Sequence, residues 1–392
     1  MAKRSDLLIF IMMVGVFGIL NTEMGVIGIL PLIAGYYDVS VAEAGLFVSL
    51  FALAVAISAP IMPLICSGIN RKTVMLHVLG VFVLGNIVSI FASNFTIALI
   101  ARVIPAIFHP IYCSMAFTVA ANSVSKEEAP KAVSRIMLGV SAGMVVGVPI
   151  TSLIASETSF EMAMLFFTVI NAITFIATVL FVPTMPVKER LSYGSQISVL
   201  KNSVTWLSIA AVIFINSAIF GVYSYLAEYL ETITNISGKT ISLMLVVYGG
   251  ANVIGNMVAG KLLVKNAINT VVTFPFALGA VYIVLFSFGQ FTVPMAIITL
   301  VWGILAGIGG NIAQYWITSA APKAPDFANG LFLSSANIGT TIGTALGGLF
   351  ISAIGPPYIV VGGLLSLLLC AVCILLRNNR FGPRKQHAIE EF

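Results

Sequence analysis

Apolar residues run along this chain in long stretches separated by short polar breaks. Twelve stretches reach the roughly 20 residues needed to cross a bilayer. They are 7–34, 43–66, 74–93, 96–121, 132–155, 160–182, 204–230, 240–263, 269–289, 293–319, 328–354 and 357–377, numbered here spans 1 to 12. Lipid offers the backbone no hydrogen-bond partner, so stretches of this length are helices. The first runs on through Pro31 without the short apolar core and cleavage site of a signal peptide, and reads as a retained span. The pattern predicts an all-α integral membrane protein.

Composition supports that class. Charged residues make up 8% of 392 and hydrophobic residues 59%, with a mean hydropathy of +1.08. A soluble protein carries about 25% charged residues. A soluble enzyme, a disordered chain and a secreted disulfide scaffold are excluded. Cys66, Cys113, Cys370 and Cys373 all sit in apolar stretches. Cys370-Ala-Val-Cys373 has metal-site spacing but no second pair, so these are read as small apolar residues and no metal is expected.

The net charge of +5 matters by its location rather than as a sign of nucleic acid, which is not an expected partner. With both termini in the cytoplasm, 17 of the 19 Lys and Arg residues fall on the inner side. Lys239 lies outside and Arg102 within span 4. Asp38, Glu43, Glu157, Glu161, Glu228 and Glu231 gather at the opposite face.

The longest polar inner loop, 183–203, contains Pro183, Pro186, Lys188, Glu189, Arg190 and Lys201. It divides an N-terminal six-helix bundle, 1–182, from a C-terminal one, 204–377, with a cytoplasmic tail at 378–392. The halves echo each other. Gly143 and Gly147 are repeated 196 residues later as Gly339 and Gly343, and Phe51 is matched 197 residues later by Tyr248. Duplication at half length predicts two pseudo-symmetric bundles around a central cavity. Gly139, Gly143 and Gly147 form a stripe on span 5, and Gly339, Gly343 and Gly347 one on span 11. Such stripes either pack helices closely or slide against the other half. Pro149 is expected to bend span 5.

Three ionisable residues lie deep in spans: Glu23 in span 1, and Arg102 and His109 in span 4. Such residues are costly in lipid and are functional candidates by default. At 1.5 Å per residue, Glu23 is about 15 Å and Arg102 about 9 Å from the outer ends of their spans, within reach of an Arg side chain. Their contact is either a fixed pair or part of proton handling. His109, two turns beyond Arg102, either takes a proton, donates to substrate or is a buried neutral ring. Pro105 and Pro110 are expected to distort span 4. Cavity candidates are Asn21, Asn216, Tyr223, Tyr225, Asn252, Asn256, Asn311, Gln314 and Asn337, each serving either substrate contact or helix pairing. No nucleophile–base set or nucleotide loop is found, so neither an enzyme nor an ATP-driven pump is expected, and no cofactor.

Several motifs carry a resemblance: Asn21-Thr-Glu-Met24 with Gly28-Ile-Leu-Pro31, Ala44-Gly45, Pro60, Arg102 followed by His109, and Gly139 to Pro149 ending Gly147-Val-Pro149. Together they resemble the major facilitator superfamily, near its proton-linked sugar-efflux and chloramphenicol-export branch. The resemblance implies a monomeric alternating-access transporter in a bacterial plasma membrane. Its partners would be the bilayer, protons and a small sugar, nucleoside or drug-like substrate. On such a mechanism Glu23 is read as the proton carrier, with Arg102 nearby tuning it and His109 as the other candidate. Uptake by symport or facilitation is the alternative on the same fold. Two places depart from the pattern. The loop after span 2 reads Ser67-Gly-Ile-Asn70-Arg71-Lys72, lacking the family's Asp, although Arg71 and Lys72 keep the gating loop basic. Pro110 stands where the branch has Gly.

Overall fold

Large apolar side chains cover the outside of the molecule, Phe91, Phe181, Phe276 and Leu368 among them, a surface that suits lipid and not water. The computed structural model describes residues 2–125, 128–186, 194–321 and 325–381, and every element in it is helical. Linker residues Lys188, Glu189 and Arg190 and the tail beyond 381 lie outside the described residues. Among those described, eleven helices are long and apolar enough to cross a membrane. One of them, Gly238–Phe288, has 51 residues and breaks at Asn266 (φ −161°, ψ 90°). Tyr248 and Tyr282 on its two arms both flank Trp302, at 5.1 and 5.8 Å between ring centroids. A straight helix would hold those residues about 50 Å apart. The arms therefore fold back as spans 8 and 9, giving twelve crossings in two six-helix bundles.

Among the described residues, four spans are interrupted. Span 1 runs Ala2–Met24, tightens to a 3-10 turn at Gly25–Ile29 and resumes at Leu30–Tyr37. Span 2 starts at a capping box, where Ser40 Oγ accepts from Glu43 N and Ser40 N donates to Glu43 Oε2. It then breaks between Leu46–Ser58 and Met62–Ile65, around Pro60. Span 5 passes from Ala129–Ala142 through a π turn at Gly143–Gly147 into Val148–Glu157. Pro149 has no N–H for the Val145 carbonyl, and the ladder slips there by one residue. Span 7 breaks between Ser203–Tyr223 and Leu226–Thr232.

The expected distortion of span 4 takes a milder form, which corrects that reading. Phe95–Asn122 is one uninterrupted helix containing Pro105 and Pro110. Pro105 frees the carbonyl of Ala101, and span 3 (Arg71–Phe91) sets Gly85 directly against it. Without a Cβ, Gly85 lets the two backbones close over that freed carbonyl.

The pseudo-symmetry is visible in packing. A side chain at Gly143 would meet Phe17 O, and one at Gly339 would meet Ile213 O, 196 residues on in both partners. Gly147 faces Asn21 and Gly343 faces Ser217, by the same spacing. Both stripes therefore pack on the first helix of their own bundle. The reading in which they slide against the other half is corrected: their close approaches are all made within a bundle.

Contact between bundles is made by other faces. At the end carrying the acidic residues, Gly348 rests on Ala42, Tyr225 on Gly45 and Gly238 on Ser156. Ser242 Oγ there donates to Ser152 Oγ at 3.0 Å. Spans 5 and 8 meet from that end inward to Val145 and Gly249. Span 11 (Pro325–Ile354) follows span 2 further, through Thr341 Oγ1 to Ser49 O (3.1 Å) and Ser334 Oγ to Ala56 O (2.7 Å). Leu64 and Phe327 pack together near the basic end.

Candidate functional site

The break in span 1 organises the site. Where α-helix gives way to 3-10, carbonyls lose part of their regular bonding. Arg102 Nη2 donates to the Glu23 carbonyl at 2.7 Å, and its Nε to the Phe47 carbonyl at 2.9 Å. Its guanidinium also lies 5.0 Å from the Phe51 ring centroid. One Arg thus ties spans 1, 2 and 4 together.

The expected Glu23–Arg102 contact is made to the main chain, which corrects a carboxylate–guanidinium pair. The Glu23 carboxylate turns instead to His109, whose Nε2 lies 3.1 Å from Oε2. All three residues are buried, 6 to 7% exposed. Cys113 Sγ is 3.8 Å from the same ring nitrogen, and the Phe51 ring meets the imidazole edge-on at 6.1 Å. A carboxylate and an imidazole at this distance hold a proton between them. A guanidinium, a carboxylate and an imidazole thus share one buried cluster, and a proton added to a neutral arrangement of the three leaves a net positive charge that low-dielectric surroundings penalise.

The sequence reading missed the polar groups behind span 1. Asn171 Nδ2 donates to Thr22 Oγ1 at 3.0 Å, and Thr22 Oγ1 in turn donates to Gly18 O at 2.9 Å. Asn86 Nδ2 lies 3.5 Å from the same hydroxyl. Asn86 and Asn171 are the only side-chain amides in the apolar runs of spans 3 and 6 (Phe160–Phe181), a signal that was available. Cys113 gave none, because only the fold brings it to His109.

The cavity candidates fare unequally. Asn21 is fully buried against Gly147 and Thr151 of span 5, and Tyr225 is buried in the seam between bundles with its hydroxyl on Thr344 O at 3.0 Å. Both are corrected to packing positions, fixed by the π turn of span 5 and the break in span 7. Asn216 and Asn337 turn back to carbonyls of their own helices, Val212 and Leu333. Asn252, Asn256 and Asn311 form a ladder between spans 8 and 10 (Thr292–Thr318), with Asn311 Nδ2 donating to Asn256 Oδ1 at 2.6 Å. Gln314 is exposed. Tyr223 stacks on Tyr248 at 4.3 Å, and both meet Trp302 edge-on. Their two hydroxyls have no hydrogen-bond partner among the described residues.

The basic loop belongs to its own bundle. Asn70, directly before Arg71, caps span 3 by accepting from Lys72 N at 3.0 Å, and also accepts from Met185 N at 3.3 Å. Arg71 N donates to Met185 O, and Lys72 Nζ to Val179 O at 2.9 Å. These bonds clamp the loop to the end of span 6.

Comparison with known proteins agrees with this architecture. A family pattern described as Major Facilitator Superfamily matches residues 11–325. The chain is 31% identical to the "Uncharacterized MFS-type transporter YtbD" of Bacillus subtilis, covering 87% of this chain and 88% of that protein. It is 27% identical to a "Probable sugar efflux transporter" of Helicobacter pylori, covering 92% of each. Among solved structures, a point mutant of the nucleoside transporter NupG superposes with a TM-score of 0.79 over 96% of this chain and all of that one, at 12% identity, a likeness of fold alone. The family match, the relatives and the twelve-crossing fold agree: this chain belongs to the Major Facilitator Superfamily and is a multi-pass membrane transporter of small molecules.

Proposed function

We propose that the protein is a proton-coupled antiporter that exports a small neutral or amphiphilic molecule, a sugar, nucleoside or drug. It works as a monomer in a bacterial plasma membrane. The basic end faces the cytoplasm, since 17 of 19 Lys and Arg residues sort there. The rocking units are 1–182 and 204–377, joined by the linker 183–203. The kinship with a sugar-efflux relative supports the direction.

The observation that carries the reading is the buried Glu23–His109 pair, 3.1 Å apart and held in place by Arg102 on the Glu23 main chain. Spans 1 and 7 and spans 5 and 8 meet at the acidic end, which supports loading of cargo from the basic end, where spans 2 and 11 keep a contact through Leu64 and Phe327. Opening the acidic end exposes the pair to external protons. Protonation makes the cluster positive, and the inside-negative membrane potential acting on that charge favours return to the arrangement open at the basic end. A proton moving inward gains about 2.3 kcal/mol per 100 mV, the energy that drives cargo out.

The test has two steps. A transporter-deficient host expressing the protein is grown against a panel of antibiotics and sugars to find a cargo. Everted vesicles are then given that cargo and a pH gradient. Wild-type vesicles should accumulate it, and Glu23→Gln vesicles should not. Gradient-driven accumulation by Glu23→Gln at the wild-type rate overturns the role of Glu23. Accumulation only in right-side-out vesicles overturns export.

A further inference from the structure

The N-terminal bundle holds a second polar feature that this mechanism leaves unused. Asn171, Thr174 and Thr178 lie at spacings of three and four on one face of span 6. That face lies on span 1. A side chain at Gly18 would meet Asn171 Oδ1, and one at Gly15 would collide with the Tyr112 hydroxyl of span 4 and reach Thr174. Asn171, Tyr112 and Thr178 are wholly buried. Asn171 Oδ1, Tyr112 OH and Thr178 Oγ1 nevertheless have no partner among the described residues. Thr168 and Thr174 bond the carbonyls of Met164 and Ile170, four residues back, as threonine does in an apolar helix. Thr178 forgoes that bond. Buried polar groups are almost always satisfied by protein or by ordered water, and one internal water makes about three bonds.

We propose that a short file of internal water occupies the seam between spans 1, 4 and 6, and gives the Glu23–His109 pair a proton route to the basic end within the N-terminal bundle. Thr22, bonded to Asn171, adjoins Glu23 in the chain. His109 lies one turn before Tyr112, and its Nδ1 is likewise buried and unpartnered. Thr178 lies at the other end, next to Val179, whose carbonyl receives Lys72 Nζ. Asn171 and Thr178 are about 10 Å apart along the helix. Three or four waters at about 2.8 Å spacing bridge that length. The route rests on the proton-coupled reading; the water itself does not.

Two measurements on the full chain separate these. Hydroxyl-radical footprinting should oxidise Tyr112 far faster than Tyr282, which is equally buried but donates its hydroxyl to Ala218 O at 2.7 Å. Equal protection of the two rings overturns the water file. Proton uptake by purified protein after a pH jump, reported by pyranine, should contain a component that Glu23→Gln removes. Thr178→Val should slow that component about fivefold and reduce Tyr112 oxidation. An unchanged rate in Thr178→Val overturns the route. If Glu23→Gln removes nothing, the proton-coupled reading fails and the route with it, while Tyr112 oxidation still decides the water.

Discussion

Phe51 and Tyr248 occupy matching places in the two bundles, yet their neighbours differ in kind. Phe51 is bordered by Arg102 and His109, and Tyr248 by Tyr223 and Trp302, with Tyr282 beyond. At the repeat spacing of 196, Glu23 corresponds to Ile219, Arg102 to Ile298 and His109 to Leu305. The backbone plan of the halves is shared, while the chemistry is divided. Charge deep in the spans is confined to the N-terminal bundle, where interrupted helices supply carbonyls to hold it. The C-terminal bundle holds a buried aromatic cluster instead. On the proposed mechanism, such a division would let proton binding and cargo contact be altered separately, because the two groups of residues sit in different bundles.

The largest expected effect comes from removing the cation. Arg102→Ala leaves the carbonyls of Glu23 and Phe47 buried without their donor and strips the cation from Phe51. A loss of about 3 kcal/mol is expected, measured as unfolding in detergent, together with loss of transport. The corresponding change at Ile298 truncates an apolar side chain and exposes no polar group, so its cost is set by the cavity alone. If Ile298→Ala proves as damaging as Arg102→Ala, the two halves do not differ as described.

Next is the functional split between Glu23 and His109. Glu23→Gln should abolish gradient-driven export. His109→Gln keeps a hydrogen bond to the carboxylate without titrating, and export should fall about tenfold while still responding to the pH gradient. If His109→Gln alone abolishes the response, the imidazole is the carrier.

Most of the architecture could be read from apolar runs because lipid leaves the backbone one solution. Gly143 with Gly339, and Gly147 with Gly343, disclosed the repeat, since close helix approach demands the same small residue in both halves. Glu23, Arg102 and His109 stood out because charge is rare in such runs. Their pairing did not. It depends on the 3-10 turn at Gly25–Ile29, which diverts Arg102 to the main chain and leaves the carboxylate to His109. Asn21 and Tyr225 were misplaced for a similar reason: helix breaks decide which face a residue shows, and regular periodicity cannot register them.

A smaller effect separates the matched glycines. An added Cβ at Gly147 meets the end of the Asn21 side chain, whereas at Gly343 it meets the Ser217 backbone. A side chain can turn aside and a backbone cannot. Gly343→Ala should cost about 2 kcal/mol and Gly147→Ala less than half of that. Thermal unfolding of the two variants side by side tests whether the repeat is equally rigid in both bundles.

The smallest effect on stability tests the aromatic half directly. Tyr248→Phe keeps the stack on Tyr223 and the edge contact with Trp302, and removes a hydroxyl that has no hydrogen-bond partner among the described residues. Stability should change by less than about 0.5 kcal/mol. If the hydroxyl instead meets cargo, KM for that cargo rises while the pH response set by Glu23 stays as in the wild type. A change in pH response with unaltered KM would place proton handling in both bundles and undo the division of labour inferred from Phe51 and Tyr248.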